Sequence, residues 1–202
     1  MGGFRVGRGE TLDLVVRRLE PEDWPHISRL FGAHGACGGC WCMWWRVPQG
    51  GKLWEEAKGR KNRDRFRRLI QAGKVHGVLA FHGDEPVGWC CFGPRTDFPR
   101  IERVKALRRD VDDGVWSVVC FFIPARWRGK GVATRLLEAA TREAFALGAK
   151  ALEGYPVVPK NEDKPVPAVF AWTGVPALFE RAGYEELARP GAARPIYVKR
   201  FS

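Results

Sequence analysis

The residues best suited to chemistry lie at one junction, where an apolar segment passes into a short basic turn. Residues 118–123 are almost entirely apolar, and the turn that follows reads Arg126-Trp127-Arg128-Gly129-Lys130-Gly131. Helical periodicity begins at the last of these glycines. The first N–H groups of a helix lack partners and carry partial positive charge, so they bind phosphate well. Because glycine also lets the backbone approach an anion closely, the junction predicts a phosphate-binding corner.

Two better-known phosphate loops do not fit this corner. A Walker loop needs Gly-Lys followed by Ser or Thr, and here Gly131 follows Lys130. A dinucleotide-binding loop needs a third glycine where Thr134 stands, and it follows an early strand of the chain. The corner therefore belongs to another class of anion site.

The pattern that fits is R-x-x-G-x-G, present as Arg126-x-x-Gly129-x-Gly131 after the apolar strand. About fifty residues later, residues 177–184 read A-L-F-E-R-A-G-Y and look like a late helix usually written L-Y-E-K-L-G-F. On these two blocks the chain resembles the GNAT superfamily of N-acetyltransferases. The C-W-C-M-W-W-R run at residues 40–46, together with Gly93-Pro94-Arg95 and Glu153-Gly154-Tyr155-Pro156, is similar to a bacterial subgroup of unassigned substrate.

The resemblance implies that acetyl-CoA is the acyl donor and that its diphosphate is held by backbone amides of the corner. Residues 119–123 would separate from the neighbouring strand and contact the pantetheine arm, and strand N–H groups would polarise the acyl carbonyl. An amine would then attack directly, without an acyl-enzyme. The implied coenzyme-binding residues are Phe121, Phe122, Ile123, Arg126, Arg128, Gly129, Lys130, Gly131, Val132, Ala133 and Thr134.

The residues that would move protons are less clear. Many members of the superfamily carry a Tyr in the late helix to protonate the departing thiolate, and the aligned residue here is Phe179. Tyr155 is the candidate substitute, although a thiolate can also leave unaided because its pKa is about 8.5. Glu153 is the candidate base. It could instead face solvent or pair with an arginine, and three other carboxylates stay open: Glu102, Asp112 and Asp113.

Residues 37–46 have an unusual composition, because cysteine and tryptophan are concentrated there. His34, Cys37, Cys40 and Cys42 could bind metal, but structural zinc usually draws on two separated pairs of ligands, so we expect none. A C-x-x-C redox pair is a second alternative. We expect the segment to fold over the acceptor end of the cleft, with simple core packing as the alternative. The predicted acceptor-binding residues are Trp41, Trp44, Trp45, Arg46 and Arg95.

The length, charge and composition of the chain limit the classes of protein to which it can belong. The chain has 202 residues and a formal charge of +11, from 34 Lys and Arg against 23 Asp and Glu. We expect a single domain over residues 1–202, with 1–10 a flexible tail. The basic residues 52–68 could bind nucleic acid, but a solvated helix face is the simpler interpretation, so no nucleic-acid partner is expected. No apolar run could span a membrane and no signal segment is visible, which predicts a soluble, cytoplasmic protein.

The order of predicted elements is β-α-α-β-β-β-α-β-α-β-β, with one basic helix over 54–72 and a polar, mobile connection over 96–114. This order and the resemblance predict an α/β (α+β) fold of three layers. Its central sheet would be mixed and mostly antiparallel, with six or seven strands and helices on both faces. The expected function is acetyl transfer from acetyl-CoA to a primary amine of a small molecule or peptide, with a homodimer left open. The alternative is a coenzyme A-binding regulatory or interaction module without turnover.

Overall fold

The computed structural model describes residues 12–48, 52–159, 166–167, 170–188 and 194–201. The predicted tail, residues 1–10, lies outside this described part. The strands are β1 (Val15–Arg18), β2 (His76–His82), β3 (Glu85–Pro94), β4 (Val115–Phe122), β5 (Ala151–Gly154), β6 (Glu185–Ala188) and β7 (Ile196–Arg200). The helices are α1 (Trp24–Phe31), α2 (Lys52–Ala57), α3 (Arg60–Gln71), α4 (Val132–Ala146) and α5 (Pro176–Arg181).

The strands form one sheet of seven in the order β1-β2-β3-β4-β5-β7-β6. Every neighbouring pair is antiparallel except β4 and β5, which are parallel and joined by α4. Helices cover both faces, and this arrangement confirms the predicted fold class. Among the described residues, no helix is long and apolar enough to cross a membrane.

Two hydrophobic cores lie on opposite faces of the sheet. One contains the apolar sides of α1 and α3 together with much of segment 41–47, and the other contains α4 and α5. Strand β4 contributes to both, with Val119 on the first face and Val118 on the second. Burial on both faces explains why this strand reads as an almost continuous apolar run.

The predicted single helix over 54–72 is wrong. The structure has α2 and α3 separated at Gly59, which takes a left-handed conformation with φ of 73°. The Gly59 N–H donates to the Gly39 carbonyl at 3.0 Å, so the break is fixed by a contact from segment 35–48. The cationic side chains of α3 are exposed, as a solvated helix face requires; they are Arg60, Lys61, Arg63, Arg65, Arg67 and Arg68.

The predicted polar, mobile connection over 96–114 is instead packed into the fold. Phe98, Ile101 and Leu107 are fully buried, and two 3-10 turns, Arg95–Asp97 and Ile101–Arg103, shape the segment. Because polar residues separate these three side chains in the sequence, the hydropathy pattern did not indicate that they belong to the core. The segment covers the end of the sheet at which β3 and β4 meet.

Strand β4 has two irregularities that shape the site. Its register with β3 shifts between Cys91 and Phe92, which leaves Val119 as an extra residue, a β-bulge. Its pairing with β5 ends at Val118 and Gly154, so residues 119–122 of β4 continue without β5 beside them. The parallel pair therefore opens at the bulge.

The last residue of β5 is a glycine with a side chain packed closely against it, which gives a stability prediction. A Cβ on Gly154 would lie 2.0 Å from Cε1 of Phe179. Gly154→Ala should therefore lower the free energy of unfolding by about 1–3 kcal/mol, measured by urea denaturation. Adding Phe179→Leu should recover part of the loss. Gly93→Ala is the control, because its Cβ would meet neighbours at 3.4 Å and beyond. Equal losses in the two alanine variants would contradict the packing argument.

Candidate active site

A cavity of about 380 Å³ lies between the end of β4, the basic turn, the start of α4, segment 171–175 and α5. The structure brings most of the predicted coenzyme-binding residues onto its wall. These are Phe121, Phe122, Ile123, Arg128, Gly129, Gly131, Val132, Ala133 and Thr134. The apolar strand end and the basic turn thus face one shared space.

The corner at the start of α4 offers unpaired amides. Gly131 caps the helix with φ of 78° and no side-chain cap. Within the described part of the chain, the N–H groups of residues 129–134 have no hydrogen-bond acceptor. A Cβ on Gly129 or Gly131 would meet nothing within 4 Å, so the backbone is open to a ligand. This is a geometry that fits a diphosphate.

The cations around the corner have different positions. Arg128 donates from Nε to the Ile123 carbonyl at 2.9 Å and lines the cavity. Arg126 does not line it and pairs with Glu85, and this hydrogen bond lowers the pKa of the Glu85 carboxyl. The Lys130 ammonium lies 5.1 Å from the ring centroid of Trp127, off the cavity wall.

The opening between β4 and β5 is partly filled by segment 171–174. The Phe121 N–H donates to the Trp172 carbonyl at 2.6 Å, and the Val157 N–H donates to the Gly174 carbonyl at 3.0 Å. Ala171 and Gly174 line the cavity. One of the β4 N–H groups expected to face the pantetheine arm is therefore bonded within the protein.

Glu153 and Tyr155, the predicted catalytic pair, are fully buried and do not line this cavity. Glu153 accepts from Arg95 at 2.9 Å and pairs with Arg109, so the arginine-paired alternative is what the structure shows. The Tyr155 hydroxyl donates to Glu153 at 2.9 Å. The tyrosine hydroxyl has a single proton, and it donates that proton to Glu153. In its 2.7 Å contact with Ser117 it therefore accepts, and the Ser117 hydroxyl is the donor.

Burial, reinforced by the charge of Glu153, raises the pKa of Tyr155 far above its usual value, so the hydroxyl stays neutral. Its proton points at Glu153, away from the cavity. Direct contact of either residue with substrate does not fit this placement, since both are closed off from solvent. A catalytic role for the pair stays a prediction.

The three tryptophans predicted to bind an acceptor are not brought together. Trp41 is 3% exposed and packs against Trp24 and Phe31, with ring centroids 5.6 Å away in each case. Trp44 packs edge-to-face on Trp54 at 5.0 Å. Both therefore stabilise the α1, α2 and α3 layer, as the core-packing alternative requires.

Trp45 is the member of the three that reaches β4. Its indole N–H donates to the carbonyl of Val119, the bulge residue, at 2.9 Å. Its ring lies 6.3 Å from that of Tyr155 and 5.8 Å from that of Trp172. Trp45 therefore marks the opening from the face opposite α4.

The two arginines expected to meet an acidic group on the acceptor are also buried. Arg95 donates from Nε to Glu102 at 2.8 Å and from Nη2 to the Leu107 carbonyl at 2.8 Å, besides its bonds to Glu153 and Tyr155. This placement argues against contact between Arg95 and the acceptor. Arg46, 9% exposed, lies 3.4 Å from Asp97 and over Phe98, likewise away from the cavity.

The cysteines form a thiol cluster on the α1 side of β4. Cys42 hydrogen-bonds with Cys120 and Cys91, and the Trp89 indole N–H points at its Sγ at 3.4 Å. Its hydrogen bond to Cys120, together with burial, raises the pKa of Cys42 well above its usual value. Within the described ranges, no three His, Cys, Asp or Glu side chains are placed to hold a metal ion.

Comparison with known proteins decides the family. The sequence model of the family described as "Acetyltransferase (GNAT) family" matches residues 42–163. The chain belongs to the GNAT acetyltransferase family. It is therefore an acyltransferase that uses acetyl-CoA as the acyl donor, and the expected resemblance is confirmed.

Solved structures of N-acetyltransferases share the fold at low identity. An N-acetyltransferase from Staphylococcus aureus Mu50 is 13% identical with a TM-score of 0.56, covering 93% of this chain and 98% of that one. The ribosomal-protein-alanine N-acetyltransferase of Brucella melitensis is 14% identical with a TM-score of 0.55, covering 93% and 99%. The PaiA N-acetyltransferase of Thermoplasma acidophilum, in complex with coenzyme A, is 12% identical with a TM-score of 0.54, covering 94% and 99%. No curated protein matches the chain at a significant level.

In this GNAT structure, Phe179, the late-helix residue that stands where many members have a Tyr, is part of the core. Phe179 is fully buried and packs against Tyr184 and Tyr197. Sequence reasoning missed two other residues near the opening, Trp172 and Arg194. Trp172 lies between β5 and α5, and Arg194 lies between the last two strands, so neither belonged to a recognisable motif.

The open corner of the GNAT site yields a binding prediction. Gly131→Glu should weaken acetyl-CoA binding by about 100-fold or more, because a carboxylate would face the diphosphate. Gly148→Glu is the matched control at the other end of α4, since Gly148 also has positive φ (88°) and open space for a Cβ. Both variants carry similar backbone strain, about 1–2 kcal/mol. Isothermal titration calorimetry compares them, and wild-type affinity in Gly131→Glu would show that the corner is not the binding site.

Proposed function

We propose that the protein transfers an acetyl group from acetyl-CoA to a primary amine of a small molecule or peptide by direct attack. One observation carries the proposal: a single cavity joins the corner with the unpaired amides of residues 129–134 to residues 121–123, which follow the point where β4 loses its pairing with β5. A diphosphate at the corner would place an extended thioester arm along the end of β4. The reactive carbonyl would then lie at the opening.

The residues on the cavity wall have distinct proposed roles. The amides of residues 129–134 hold the diphosphate, with the positive charge of Arg128 beside it. The backbone of residues 121–123 runs along the pantetheine arm. Arg126 and Lys130, which lie off the wall, contribute charge at longer range. Arg181, exposed on α5 and lining the cavity, is a further cation at the rim.

The transfer step needs no covalent intermediate with the protein. The nitrogen lone pair of the amine attacks the thioester carbonyl carbon, and backbone N–H groups near the β4 bulge stabilise the negative charge on oxygen. The C–S bond then breaks, the electron pair leaves with sulfur, and the amine proton passes to water. A thiolate with a pKa of about 8.5 is a leaving group that does not require a dedicated acid.

Glu153 and Tyr155 act in this scheme as positioning residues. Their network ties Ser117 of β4 to β5 immediately before the strands separate. Arg95 and Arg109 bring the 95–109 segment into the same network. The pair therefore determines where the opening begins without touching the substrate.

Turnover is tested by following free thiol release from acetyl-CoA with a panel of primary amines. We expect release that depends on the amine and rises with pH as each amine loses its proton, because a protonated amine is not nucleophilic. Acylated product by mass spectrometry is the second readout. Acetyl-CoA binding with no release for any amine would instead support the binding-module alternative.

The positioning role is tested with Tyr155→Phe. Loss of the hydroxyl leaves buried partners unsatisfied, so the free energy of unfolding should fall by about 1–3 kcal/mol. The kcat should fall less than about tenfold, below the range of lost general acid–base catalysis. A kcat loss of about 100-fold or more with unchanged stability would assign proton transfer to Tyr155 itself.

A further inference from the structure

The opening of β4 and β5 holds a cation that the proposed transfer step does not use. The guanidinium of Arg194 lies 5.5 Å from the ring centroid of Trp45 and 5.8 Å from that of Trp172. The two indoles are themselves 5.8 Å apart. The arginine is therefore held by two aromatic faces that come from distant parts of the chain.

This guanidinium has lost part of its contact with water. Burial lowers the pKa of Arg194. The buried Arg95 differs, because two carboxylates pair with its guanidinium and its pKa is raised. In the portion of the chain that the structure describes, no Asp or Glu pairs with Arg194. Cation–π contacts offset part of the cost of burial, but the N–H groups keep their capacity to donate.

Both tryptophans are anchored to β4 beside the opening. Trp45 donates to the carbonyl of Val119, and the carbonyl of Trp172 accepts from Phe121. Both positions lie in residues 119–122, the part of β4 that no longer has β5 as a neighbour. Through its contacts with these two rings, Arg194 is placed beside the unpaired end of β4.

The arginine lies on the side of the sheet from which an acceptor would approach. Trp45 belongs to the core on the α1 side, and Trp172 packs against that core. The coenzyme cavity is lined by the start of α4 and by α5, on the other face. Ala171 and Gly174, on either side of Trp172 in sequence, still line that cavity, so the two sides meet at this segment.

We propose that Arg194 recognises a carboxylate on the acceptor, which makes the substrate class a primary amine that also carries a carboxylate. A planar guanidinium covered on its faces by indoles can still donate from its edge to both oxygens of a carboxylate. A polyamine would place a second cation against Arg194 and is disfavoured. The proposal rests on the proposed acetyl transfer and specifies its acceptor.

The kinetic test compares acceptors with and without a carboxylate, with kcat/KM expressed per unprotonated amine. Glycine, β-alanine and γ-aminobutyrate are assayed with acetyl-CoA against their primary amides and against diamines of matched length. The carboxylates should have the highest kcat/KM. Arg194→Gln should lower kcat/KM for the carboxylates about 10- to 100-fold and leave the amides and the KM for acetyl-CoA unchanged. Arg142→Gln, which alters an exposed arginine on α4, is the control.

A binding test keeps the outcome independent of turnover. N-acetylglycine and its amide are titrated into the coenzyme A-bound protein, with tryptophan fluorescence and calorimetry as readouts. Only the carboxylate should bind, and Arg194→Gln should abolish it without lowering the Tm, since the variant removes a desolvated charge. If the carboxylate binds but no acceptor is acetylated, recognition of a carboxylate by Arg194 is supported and the proposed acetyl transfer is not. Acetylation with equal efficiency for acids and amides, or equal losses for both in Arg194→Gln, would overturn it.

Discussion

A buried carboxylate imposes the main constraint on this structure. Glu153 has no solvent exposure, and a charge in that position costs several kcal/mol unless it is paired. Its partners, Arg95 and Arg109, lie in the segment between β3 and β4. That segment must therefore fold against the sheet, and it takes Phe98 and Leu107 into the core with it. The end of the parallel pair is thereby held rigidly where the site requires it.

The opening beyond this network presents two chemically different faces. Towards α4, unpaired amides and exposed glycines form a corner suited to a polyanion. Towards α1, the rings of Trp45 and Trp172 and the guanidinium of Arg194 form a more enclosed region. The bulge at Val119 connects the two, because it turns both Val119 and Cys120 towards the α1 core. A reaction between a donor from one face and an acceptor from the other is therefore compatible with a single strand end.

The parts of this architecture that the sequence predicted are local ones. The strand, turn and helix around Gly129 and Gly131 could be recognised because an apolar run, two glycines and a helical stripe are adjacent in the chain. The break at Gly59 could not, since it depends on the carbonyl of Gly39. The same limit applies to the acceptor side. Trp45 and Arg194 are far apart in sequence, and only tertiary packing shows that they meet.

The network around Glu153 illustrates a different limit. A glutamate within an apolar strand is a reasonable candidate for a base, and the sequence left arginine pairing open as an alternative. Which of the two holds depends on where Arg95 and Arg109 lie, and the polar composition of their segment gave no sign that it packs. Only the fold shows that Glu153 is buried and paired with these two arginines.

The thiol cluster has a consequence for the fidelity of acyl transfer. A free thiolate beside a thioester would compete with the amine, because exchange of the acyl group between two sulfurs is facile. Cys120 lies one residue beyond the bulge, in the part of β4 that is not paired with β5. Although its hydrogen bond with Cys42 acts in the opposite direction, burial raises the pKa of Cys120. A higher pKa leaves less of this sulfur as thiolate, and in the proposed transfer that would reduce its competition with the amine for the acyl group.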